Sequence, residues 1–160
     1  MEKLDLTKKY KSYYTAKETP AIVQIEKAHY LSICGIGDPN GKEYGERLQA
    51  LFSVAYTLKF EFKAQQKDFT VAKLEGLWWF DENKYAIISG DEAPLKIPRS
   101  EWNYRSLIRL PEFVNPKDIL KSIETCKMKK QLPFLEDVSY FEMNEGKCVQ
   151  ILHKGAFENE

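Results

Sequence analysis
Two stretches, Val54-Ala55-Tyr56-Thr57-Leu58-Lys59-Phe60 and Leu74-Glu75-Gly76-Leu77-Trp78-Trp79-Phe80, decide the fold class. The first closes a helical pattern over residues 42–60, in which Leu48, Leu51, Phe52, Ala55 and Leu58 recur at three- and four-residue spacing. Tyr56 follows Phe52 by one helical turn and sits at the flank of that stripe. The second stretch belongs to a strand predicted over residues 69–80, where Gly76 permits a bulge or the close approach of a ligand. Side chains alternate across a strand, so of the adjacent Trp78 and Trp79 one indole faces each way. A long amphipathic helix running into an aromatic strand, with more strands on either side, reads as α+β.

Working outward, residues 21–36 are extended and apolar, broken once before Tyr30, and Gly35-Ile36-Gly37-Asp38-Pro39-Asn40-Gly41 stops them with turn chemistry. Residues 85–88 are predicted as a short strand between two loops. Residues 102–109 alternate, with Trp102, Tyr104, Ser106 and Ile108 on one face. Asn115-Pro116 opens a second helix as N-cap and first residue, with Ile119, Leu120, Ile123 and Cys126 as its buried stripe. Two strands, 138–142 and 148–152, are predicted to form a hairpin through Asn144-Glu145-Gly146. Residues 1–19 form a lysine-rich arm carrying Tyr10, Tyr13 and Tyr14. Val23-Gln24-Ile25 recurs as Val149-Gln150-Ile151, an echo suggestive of duplication though too short to prove one. Residues 155–160 look like a helix N-terminus without its helix.

The composition narrows the function classes. Twenty-four basic and 24 acidic side chains cancel, which leaves no global field to hold a phosphate backbone and argues against a nucleic-acid partner. No apolar run reaches the roughly 20 residues a bilayer requires. Cys34, Cys126 and Cys148 are odd in number and widely spaced, and read as reduced thiols of a cytoplasmic protein. His29 and His153 lack partners at metal spacing, and Gly35-Ile36-Gly37 lacks the third glycine of a dinucleotide fingerprint, so neither a metal nor a cofactor is expected.

What remains is a pocket for an organic molecule. Nine Tyr, nine Phe and three Trp supply a ring-rich core, a ring-lined cleft, or both. Tyr56 is either an acid/base group in that cleft or an interfacial tyrosine with a hydrogen-bonded tip. One of Trp78 and Trp79 lines a ligand surface or lies under a loop or partner chain. Glu75 is a pocket carboxylate, selecting cations or activating water, or a solvated strand residue. Trp102 and Tyr104 share a face and form another wall or pack between sheet and helix.

Gly35-Ile36-Gly37-Asp38-Pro39-Asn40, the run from Leu51 through Phe60, Leu74-Glu75-Gly76-Leu77-Trp78-Trp79 and Cys148-Val149-Gln150-Ile151-Leu152-His153 together resemble the stand-alone GyrI-like small-molecule-binding proteins. The resemblance begins near Tyr10 and runs to the last residue. It implies one domain of two SHS2-type β-α-β-β repeats, forming a curved antiparallel sheet with helices on one side and a ligand cleft on the concave side. Residues 1–19 would be an arm, 20–100 the first repeat, 101–145 a connecting strand, helix and strand, and 146–160 the start of an incomplete second repeat.

The function so implied is binding of flat, hydrophobic or cationic molecules. Some family members are implied to hydrolyse the cyclopropane of DNA-alkylating natural products. Tyr56 matches the motif tyrosine of such hydrolases and Trp78 an aromatic wall, with Trp79 or Tyr104 supplementing it. Trp102-Asn103-Tyr104 stands where the family carries Trp-x-Trp. The family's catalytic glutamate belongs to a strand within about fifty further residues, so the role does not pass to Glu75, and the resemblance implies a C-terminally truncated chain. A non-catalytic sequestering module and a protein-binding modulator, such as a gyrase inhibitor, are the alternatives. A chain ending at Glu160 would expose a sheet edge, as monomer or homodimer.

Overall fold
The computed structural model describes residues 3–89 and 91–156. Among the described residues four α-helices and six strands follow one another, with 3-10 turns at Arg99–Glu101 and Leu135–Asp137: α1 (Leu6–Lys9), β1 (Ala21–Ile25), β2 (Ala28–Ile36), α2 (Lys42–Ala64), β3 (Leu74–Trp79), α3 (Ala93–Lys96), β4 (Asn103–Arg109), α4 (Pro116–Lys129), β5 (Ser139–Met143) and β6 (Gly146–Gln150). The α+β class expected from the sequence is what the chain adopts. Strands β3-β4-β2-β5 make one antiparallel sheet in that order, and β1 pairs with β6 in a two-stranded ribbon.

The ribbon and the sheet are continuous. Ile25 faces Gly146 on one side of a break, and Ala28 faces Met143 on the other, so the register runs straight across it. Glu26-Lys27 and Asn144-Glu145 therefore span a common bend in one long antiparallel pair. This corrects the hairpin expected at Asn144-Glu145-Gly146: β5 and β6 do not pair with each other, and Gly146, at φ 66°, turns the chain from one partner strand to the next. The two Val-Gln-Ile copies lie on the paired strands β1 and β6. Ile22 faces Val149 and Val23 faces Cys148.

Helices α2 and α4 cover one face of the sheet. Leu51, Val54, Ala55, Leu58 and Phe62 of α2 meet Ile119, Ile123 and Cys126 of α4 over Leu31, Ile33 and Ile108. The arm joins this layer through the buried Leu6, with Tyr10 and Tyr14 packed alongside. Helix α2 outruns its predicted end at Phe60 because α4 holds the next turn. Phe62 is buried, and the Glu61 carboxylate accepts from Ser122 Oγ at 2.7 Å and Thr125 Oγ1 at 3.1 Å. The same contact corrects the α4 stripe: Ser122 is buried, whereas Leu120 faces solvent.

Two strand predictions also change. Residues 69–73 leave the sheet because their partner has ended: Pro111 follows β4 and cannot donate to a ladder. The backbone there pairs instead with the arm, Thr70 N donating to Leu4 O at 2.8 Å. Residues 85–88 form a turn, since the Asp81 side chain captures Asn83 N at 2.9 Å and Tyr85 N donates to Asp81 O at 3.1 Å. Of the helix start expected over residues 155–160, positions 157–160 lie outside the described residues.

Candidate functional site
The parity of β3 sends its two tryptophans to opposite faces. Gly76 and Trp78 lie beneath the helices, while Glu75, Leu77 and Trp79 share the helix-free face. Trp78 is held from behind by rings, its centroid 5.9 Å from Tyr44 and 5.3 Å from its cross-strand partner Tyr104. Tyr44 and Tyr104 meet edge to face at 4.9 Å and close the triangle. Gly76 makes room for the indole, since a Cβ there would stand 2.8 Å from Trp78 Nε1.

Trp102 is fixed in its own way. Its Nε1 donates to Ile97 O at 3.3 Å, and Phe80 packs edge-on against it at 5.5 Å. The free faces of Trp78 and Trp102, with Pro39, Asn40, Pro94 and Arg99, line a cavity of about 260 Å³. Tyr104 is buried behind this cavity. Its hydroxyl, without a hydrogen-bond partner among the described residues, is pushed up in pKa by burial.

The helix-free face carries the polar cluster. The Tyr13 hydroxyl donates to Glu75 Oε2 and lies 3.0 Å from the Tyr30 hydroxyl. Burial raises the Glu75 carboxyl above the usual carboxylate range, an effect that the Tyr13 hydrogen bond and the Arg109 charge oppose. Burial and the neighbouring Glu75 likewise push Tyr13 and Tyr14 upward. Arg109 is buried, with its guanidinium stacked 3.9 Å from the Tyr10 ring centroid and 4.8 Å from that of Tyr13.

The residues singled out in the sequence thus fall into three groups. Trp78, Trp102 and Tyr104 come together on the helix side. Glu75 and the 44 % exposed Trp79 share the opposite face. Tyr56 stands apart, 49 % exposed and without a side-chain hydrogen bond among the described residues. It lies twelve residues beyond Tyr44 on α2, about 18 Å further along the helix axis. Tyr44 was not singled out in the sequence, although it stands one helical turn before Leu48 and extends the apolar stripe. Tyr13 and Tyr14 were visible as arm tyrosines, but nothing in the sequence joined them, or Arg109, to Glu75.

Fold and site define an α+β protein with a ring-walled cavity at the helix side of its sheet and a tyrosine-rich carboxylate site on the other side. No protein-family model and no curated protein matches the chain. Solved structures do. A conserved protein from Listeria innocua, described as uncharacterized, is 31 % identical over 97 % of this chain and 74 % of its own, with a TM-score of 0.83. A hydrolase from Listeria innocua is 30 % identical over 97 % and 73 %, with a TM-score of 0.79. A further hydrolase structure from that organism is 30 % identical over 98 % and 74 %, with a TM-score of 0.81. The chain belongs to the family of these Listeria proteins. Among the described residues no helix is long and apolar enough to cross a membrane.

Proposed function
We propose that this protein binds flat, hydrophobic small molecules between Trp78 and Trp102. The observation that carries the proposal is the pair of indoles fixed from behind, Trp78 by Tyr44 and Tyr104 and Trp102 by Phe80 and Ile97. Rings already immobilised lose little freedom when a ligand stacks on them, so the stacking energy goes into affinity. Proline faces and the small share of polar groups in the lining suit an aromatic ligand. Motif resemblance supports a place among the GyrI-like proteins.

Hydrolysis is the second part of the proposal, favoured by the description of two structural neighbours as hydrolases. In opening a cyclopropane, water oxygen bonds to a ring carbon and the strained C–C bond breaks. Its electron pair passes into the carbon framework, which takes up a proton while the water proton leaves to a base. The resemblance assigns Tyr56 to this chemistry, but it stands twelve residues along α2 from Tyr44 and does not line the Trp78–Trp102 cavity, so a base for the water must come from elsewhere.

Titration of tryptophan fluorescence with planar aromatic dyes tests binding. Saturable quenching is expected, weakened about tenfold by Trp78→Ala. Affinities unchanged within about twofold would remove the cavity from consideration. Incubation with a cyclopropane-bearing alkylator, followed by mass spectrometry, tests hydrolysis. A water adduct is expected; intact binding without an adduct would leave a sequestering protein.

A further inference from the structure
Arg109 ends β4 and is only 8 % exposed, a cation that keeps its charge at any physiological pH. Its side chain lies against the rings of Tyr10 and Tyr13, at 3.9 and 4.8 Å, and makes no hydrogen bond or ion pair among the described residues. Ring faces stabilise the charge of a guanidinium but accept none of the N–H bonds that radiate in its plane. The neighbouring carboxylates are otherwise engaged. Glu75 senses the Arg109 charge through space, yet its hydrogen bonds come from Tyr13 and Tyr14. Glu112 is held by Lys9 and Tyr10. A buried charged donor left unmatched is costly, and a ligand that supplies the acceptor recovers that cost on binding. Arg109 opens on a cavity of about 260 Å³ between the arm and the ribbon, lined with it by Tyr10, Ser12, Tyr13, Val23 and Ile25. Tyr13, its ring toward Arg109 and its hydroxyl on Glu75, stands between this space and the Glu75 cavity of about 400 Å³.

We infer that the cavity at Arg109 is a binding site for a small organic monocarboxylate whose oxygens accept from the Arg109 guanidinium. The planar fork presents parallel N–H bonds at the spacing of carboxylate oxygens, a match that a point charge lacks. Contact with the two tyrosine rings holds the fork before the ligand arrives, so little freedom is lost on binding. Val23 and Ile25 share one face of β1 and, with the tyrosine rings, offer an apolar wall to the body of the acid. The exposed Glu26 also lines the cavity and repels a second negative charge, which disfavours phosphate and dicarboxylates. A cation would meet Arg109 itself.

This site shares no lining residue with the Trp78–Trp102 cavity and does not depend on it. Calorimetric titration of the whole chain with benzoate and with its neutral counterpart benzamide tests the inference. Benzoate is expected to bind at least about tenfold more tightly than benzamide. Arg109→Lys, which keeps the charge but not the fork, should weaken benzoate about tenfold, and Tyr10→Leu, which frees the guanidinium, about threefold. Glu75→Gln removes a nearby negative charge and should leave benzoate bound at least as tightly. Equal affinities for benzoate and benzamide on the unaltered chain would overturn the proposal without recourse to any variant. So would undiminished benzoate binding by folded Arg109→Lys, loss of benzoate binding in Glu75→Gln, or displacement of benzoate by an equal concentration of inorganic phosphate.

Discussion
Glu75 is a single residue whose environment sets a measurable pH dependence. Its carboxyl is pushed above its ordinary value of 4.5, chiefly by burial, so the folded state holds the proton more tightly than the unfolded chain does. The associated stability is fully present below the unfolded pKa and declines as pH rises through the raised folded value. Urea unfolding of the natural chain and of Glu75→Gln at several pH values should show the natural chain losing ground to the variant as pH increases. A stability difference that stays constant or moves the other way would mean that burial does not govern this carboxyl. Gly76 acts at the same scale through shape. Because an added Cβ would press on Trp78 Nε1 at 2.8 Å, Gly76→Ala should shift the indole and weaken dye binding severalfold while leaving the helices intact. Equal dye affinity in a folded Gly76→Ala protein would show that the indole has room to adjust.

Among the elements, α4 has the most explicit start signal. Asn115 Oδ1 accepts from Lys117 N at 2.9 Å and Asp118 N at 3.2 Å, and Asp118 Oδ2 accepts from Asn115 N at 2.9 Å. Asn115→Ala should cost about 1 kcal/mol in denaturant unfolding, and a loss below a few tenths would mean that Pro116 and packing alone fix the helix start. Such local signals are why α2, α4, β1, β2 and β4 were legible: caps, stripe periodicity and alternation act within a few residues. Elements whose fate depends on a distant partner were not. Residues 69–73 look like strand, yet β4 stops at Arg109 and the arm pairs with them instead. Leu120 has the right spacing for the α4 stripe, but the polar contact from Ser122 to Glu61 rotates the buried face. The candidate site follows the same rule. Strand parity predicted that Trp78 and Trp79 diverge, while the meeting of Tyr13 with Glu75, 62 positions apart, is a tertiary event.

At the scale of the whole molecule, one long antiparallel pair is bent so that β2 and β5 enter the helix-covered sheet while β1 and β6 project from it. The two halves of that pair should differ in stability. β2 and β4 are interior strands of a four-stranded sheet, backed by Leu51, Val54 and Leu58 of α2. β1 and β6 have only each other as strand partners among the described residues, and their outward pair Ile22 and Val149 is 70 % and 67 % exposed. A two-stranded ribbon with one apolar side in water has little to resist local opening. Native-state amide exchange should therefore find β1 and β6 opening at least about a hundredfold more readily than β2 and β4. The arm lies on the weaker half, through Tyr13 and Lys17, so opening of the ribbon should also loosen the wall of the Glu75 cavity. Exchange that is equally slow in β1 and β2 would show that the bend transmits the stability of the sheet to the ribbon.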